Sequence, residues 1–121
     1  MSDLSFDHER LDVYKVSIDF IVLSDLLIAG LPPGRSYLGD QLHRAASSII
    51  LNIAEGAGEF SKKDKARFYR MARRSATECA GVLDICRYLK LSDLDMISSG
   101  RSLLLRIVAM LVSLVKAMGP S

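Results

Sequence analysis

Residues 52–78, NIAEGAGEFSKKDKARFYRMARRSATE, decide how this chain folds. The stretch reads as the end of one helix, a turn punctuated by Gly56 and Gly58, and the opening of a second helix. Ser61 with Asp64 three positions on has the spacing of a capping box, with Asp where Glu is usual, so a helix start is expected there. The new helix opens with seven Lys or Arg residues between Lys62 and Arg74, against one acid, Asp64. A chain of net charge +2 has gathered its positive charge at one helix end. Any electrostatic role rests on that cluster and not on the chain as a whole.

Working outward, the same punctuation recurs. Upstream, Leu38, Leu42, Ala45, Ile49 and Ile53 form an apolar row at helical spacing. The row alternates with a polar one of Gln41, Arg44, Ser48, Asn52 and Glu55. Small residues around it allow close approach by a neighbouring helix. Before it, two apolar rows run from about residue 7 to residue 29. Gly30, Pro32 and Pro33 stop them as a C-cap glycine followed by helix-incompatible prolines. Downstream of residue 61, Phe68, Ala72, Ser75, Cys79, Leu83 and Cys86 are expected to face inward. Lys63, Arg67, Arg70 and Arg74 are expected on the opposite side. Ser92 with Asp95 repeats the cap signal and opens a last helix that ends at Gly119 and Pro120. The expectation is an all-α chain folded as one domain over residues 1–121, an antiparallel up-down-up-down four-helix bundle with helices at about 7–29, 37–58, 62–90 and 93–118.

Composition agrees: 121 residues, half of them apolar, no Trp and three Pro, enough for a real core. The start, MSDLSFDHERLDVYK, is acidic and polar, unlike a secretory or transit peptide. The most apolar run, residues 103–115, is shorter than the roughly 20 residues a membrane span needs. No membrane association and a cytoplasmic location are therefore expected. The last helix nonetheless carries more apolar surface than the stripe of about 100° that a bundle edge uses, so a homo-oligomer is expected to bury the excess. Cys79 and Cys86, seven positions apart on one helix, stand about 10 Å apart, too far for a disulfide. They are read as buried structural thiols.

The pieces Gln41, Arg44, Ala45, Ser48 and N-I-A-E-G at 52–56, followed by Ser61, Lys65, Phe68, Ala72, Ser75 and Glu78, carry a family likeness. The chain resembles the four-helix-bundle proteins of 23S ribosomal RNA intervening sequences, and with them the accessory variability protein of diversity-generating retroelements. Arg74 stands where a small residue is usual before Ser75, and the first helix lacks the usual early Trp. The resemblance implies a homo-oligomeric bundle, typically a ring-like pentamer. In the retroelement branch it implies a basic nucleic-acid-binding partner of a reverse transcriptase.

Two residue sets are candidates for function. Lys62, Lys63, Arg67, Arg70, Arg73 and Arg74 could neutralise phosphates of RNA or DNA, with a salt-dependent affinity. The bland alternatives are a solvated helix face or a surface that docks an acidic partner protein. Helix stability does not explain Lys62 and Lys63, because cations at a helix N-terminus oppose the dipole. The second set is Gln41, Arg44, Asn52, Glu55, Ser75 and Glu78. Neither Glu55 nor Glu78 is followed by His three residues on, so a metal centre of the helix-bundle type is not expected. Inter-helix hydrogen bonds and ion pairs with Arg44 or Arg74, fixing register within or between subunits, are expected instead. Phosphate-loop, zinc-protease and nucleophile-elbow motifs are absent from the sequence. A non-enzymatic protein without metal or cofactor is the resulting expectation.

Overall fold

The computed structural model describes residues 4–120. It comprises a short 3₁₀ turn, Asp7–Arg10, and four helices: α1 Asp12–Ala29, α2 Ser36–Gly58, α3 Lys62–Tyr88 and α4 Leu94–Ala117. No strand occurs among the described residues. The helices pack in cyclic order, α1 on α2, α2 on α3, α3 on α4 and α4 on α1, around one core that includes Phe20, Leu42, Ile49, Ile53, Cys79 and Ile107.

The first expected helix proves to be two elements. Leu11 is extended, with φ −81° and ψ 130°, so the chain breaks between the 3₁₀ turn and α1. Glu9 closes the turn: its Oε1 accepts the Phe6 N–H at 2.8 Å, and its own N–H donates to the Phe6 carbonyl. At the other end of α1, Gly30 keeps a right-handed φ of −90°, so its left-handed freedom is unused. The stop comes from Pro32 and Pro33, and the chain turns at Gly34, where φ is +88°.

Ser61 caps α3 as expected, its Oγ accepting the Asp64 N–H at 3.0 Å. The start of α4 differs from expectation. Asp93, not Ser92, is the cap, accepting the Met96 N–H at 3.0 Å. Ser92 Oγ is buried without a hydrogen-bond partner. Between them α3 ends in a Schellman arrangement. The Leu91 N–H donates to the Cys86 carbonyl at 2.8 Å and the Lys90 N–H to the Arg87 carbonyl at 3.1 Å. The left-handed residue that this motif needs is Lys90, with φ 57°.

The core row of α2 is the one expected: Leu38, Leu42, Ala45, Ile49 and Ile53 are all buried. That of α3 is rotated in its first half. Tyr69 and Ala76 are buried, whereas Phe68 and Ser75 lie half-exposed on the α2 side. Tyr69 fits because Gly56 faces it: a Cβ on Gly56 would stand 2.8 Å from Tyr69 Cε1.

α4 supplies Ile97, Leu104, Ile107 and Leu111 to the core. It is 24 residues long and carries an 18-residue stretch of mean hydropathy 1.5, long and apolar enough to cross a membrane by length and composition. The run at 103–115 alone understates it. Leu103, Val108, Met110, Leu114 and Val115 pack against the core from its flanks, while Leu94 and Leu105 stay exposed.

Candidate nucleic-acid interface

Helical spacing sorts the α3 cations into two stripes. Lys63, Arg67, Arg70 and Arg74, at i, i+4, i+7 and i+11, share one face directed away from the core. Lys62 and Arg73, eleven positions apart, share another, turned by about 100°. Asp84 continues that second stripe and pairs with Arg101 of α4, so Lys62 and Arg73 face the α4 side.

Lys62, Lys63, Arg67, Arg73 and Arg74 are exposed and Arg70 is half-buried. The described residues contain two ion pairs, Lys15–Asp12 and Arg101–Asp84. Neither uses any of these six cations, so no described carboxylate pairs with them. Lys65, the seventh cation, is committed to structure. Its Nζ donates to the Ala57 carbonyl at 2.8 Å and the Gly56 carbonyl at 3.4 Å, capping the end of α2. Arg67 lies with its guanidinium carbon 4.5 Å from the Phe68 ring centroid, a cation–π contact that holds it against the helix. Of the three aromatics near the stripe, Tyr69 is buried and Phe68 half-buried. Phe60 is fully exposed at the head of α3.

The second residue set divides. Ser75 Oγ donates to Ser48 Oγ at 2.8 Å, and Asn52 Nδ2 donates to Ser48 Oγ at 3.0 Å. Gln41 Nε2 reaches Glu78 Oε2 at 3.4 Å. The Ser75–Ser48 and Gln41–Glu78 bonds tie α2 to α3. Arg44 and Glu55 are exposed and join neither network, and among the described residues Arg44 and Arg74 form no ion pair within the chain. Alternation alone could not reveal this, since exposed residues on adjacent helices share a pattern without sharing a contact.

No His, Cys, Asp and Glu cluster with metal-binding geometry occurs among the described residues. Both cysteines are free and buried. Burial, with a smaller contribution from the Glu78 charge, pushes the Cys79 thiol up to about 12. Burial raises the Cys86 thiol as well. Both are protonated and poor nucleophiles near neutral pH.

The family model described as 23S rRNA-intervening sequence protein matches residues 9–113. No curated protein matches the chain. Among solved structures, a protein of unknown function from the S23 ribosomal protein family of Bacteroides thetaiotaomicron VPI-5482 is similar, with a TM-score of 0.79 and 23 % identity. The likeness covers 86 % of this chain and 95 % of that one, and it is a likeness of fold. With a family match over most of its length and a helical bundle to fit it, the chain belongs to the 23S rRNA-intervening sequence protein family.

Proposed function

We propose that this chain is a non-catalytic accessory protein, an antiparallel bundle assembled into a homo-oligomer, whose basic α3 face binds the backbone of RNA or DNA. The observation that carries the reading is the set of six cations on the first half of α3, none of them in an ion pair with another described residue. Each phosphate they neutralise releases a counterion, so affinity falls steeply with salt. The antiparallel order is supported by close approaches of Gly39 to Ile28, Gly56 to Tyr69 and Gly100 to Leu83, each joining the end of one helix to the beginning of the next. Oligomerisation is supported by the exposed leucines of α4, Leu94 and Leu105, and a ring of five by the family likeness. Repetition around a ring multiplies one patch into a charged annulus, which favours shape over sequence.

The test pairs Arg67→Glu with Arg74→Glu, both exposed and neither in an ion pair. Binding of a short mixed-sequence RNA or DNA at low salt should fall by at least about two orders of magnitude, because two phosphate-neutralising cations become repelling anions in every copy. Native mass should not change. Undiminished binding would remove this face from consideration. A second reading is favoured by the scarcity of exposed aromatics beside the stripe: of Phe60, Phe68 and Tyr69 only Phe60 is exposed, so base stacking has little support. In that reading the same face docks an acidic partner protein, and wild-type protein takes up no nucleic acid at either low or moderate salt.

A further inference from the structure

Between the last turns of α3 and the first turns of α4 lies a cavity of about 250 Å³. Buried Leu83 and Ile97 form its floor, and Leu94, 65 % exposed, forms its lip. Its rim carries Asp84, Arg87 and Arg101. Arg101 Nη1 stands 3.9 Å from Asp84 Oδ1, with both side chains about half exposed, so this pair is weak and easily exchanged. Arg87 has no carboxylate within ion-pair distance among the described residues; its guanidinium carbon lies 5.5 Å from the Tyr88 ring centroid. An apolar floor beneath a rim with one more cation than anion suits an apolar side chain flanked by acids.

The chain itself displays that chemistry. Leu4 is 96 % exposed and Phe6 73 % exposed, and exposed Asp7 and Glu9 follow. The Phe6–Glu9 bond already fixes the turn that presents them. This arm cannot reach its own cavity. It lies beside Glu55 and Glu59 at the end of α2, close to where α3 begins at Lys62, whereas the cavity is at Asp84. The helix between Lys62 and Asp84 separates the two by about 33 Å at 1.5 Å per residue.

We propose that the Leu4–Glu9 arm of one copy docks into the α3–α4 cavity of a second. Phe6 enters the cavity, Leu4 covers Leu94, and Asp7 and Glu9 face Arg87 and Arg101. The inference rests on the oligomeric reading above and gives it a contact. An arm from one end of a bundle filling a cavity near the other end is a heterologous, head-to-tail contact, the kind that closes rings when the rotation permits.

The test uses the full chain and two variants altered only at exposed positions, Phe6→Asp and the double change Arg87→Glu with Arg101→Glu. Both should keep their helical circular dichroism and lose native mass. A labelled peptide of residues 4–10 should then bind the Phe6→Asp protein saturably, and the arginine variant at least roughly ten-fold more weakly. A wild-type oligomer whose mass persists in both variants, or no saturable peptide binding up to millimolar concentration, overturns the arm and leaves the oligomer standing. A wild-type monomer overturns both.

Discussion

At the scale of single residues, Lys90 shows how a local rule can be broken inside an otherwise regular frame. Both hydrogen bonds of the Schellman motif form around it, and Leu91 packs against the core beyond it. Their sum holds a residue with a Cβ in the left-handed region, at a cost of about 1 kcal/mol. Lys90→Gly should therefore stabilise the protein, by somewhat less because glycine gains freedom in the unfolded chain. A thermal midpoint at fixed protein concentration should rise by roughly 4 °C; a lower midpoint would mean that the lysine side chain holds something the turn needs. The sequence hides this site because only a glycine there would have announced it. The neighbouring cap was also half-hidden. Ser92, Asp93 and Asp95 all have cap-forming side chains, and the choice of Asp93 depends on Ser92 being drawn into the protein beside Cys86.

At the scale of elements, α2 was legible and α3 only partly so. Large aliphatic side chains at a strict helical period fix which face of α2 is buried. The inner half of α3 is instead built from Ala66, Tyr69, Ala72 and Ala76, and Phe68 and Ser75 compete for the same face. What settles the rotation is a contact between helices, Gly56 against the Tyr69 ring, which no pattern within α3 contains. The two helical glycines Gly56 and Gly81 test this account as a pair. A methyl on Gly56 meets Tyr69 at 2.8 Å, and Tyr69 is 3 % exposed and has no room to move. Gly56→Ala should destabilise the fold by about 1–3 kcal/mol. A methyl on Gly81, in mid-α3, meets nothing within 4 Å, and Gly81→Ala should stabilise by about 0.5–1 kcal/mol through helix propensity alone. Denaturant midpoints measure both, and equal effects of the same sign would contradict the packing argument. The basic stripe follows the helical period; on it Arg70 sinks part-way into the surface, and off it Lys65 turns back to cap α2.

At the scale of the whole molecule, α4 joins the separate observations. Its core residues Ile97, Leu104, Ile107 and Leu111 face one way. A neighbouring row, Leu94, Ser98, Arg101, Leu105, Val108 and Val112, follows the same helical spacing on the α3 side. The row starts at the lip of the α3–α4 cavity and includes Leu105, which is 60 % exposed. An apolar stripe that continues from a cavity with a charged rim has the composition of an interface, apolar at its centre and polar at its edge. Two aspartate substitutions on this helix separate folding from assembly. Leu111 is fully buried, so Leu111→Asp places an unpaired carboxylate in the core, costs several kcal/mol and should abolish helical circular dichroism. Leu105→Asp adds the same charge at an exposed position. It should leave the helical signal intact while native mass drops to that of smaller species, because in the proposed oligomer that side chain is desolvated. A Leu105→Asp protein that keeps both its helicity and its mass would show that the outer row of α4 lies outside the contact between copies. The cover for its apolar surface would then have to be sought in a different partner.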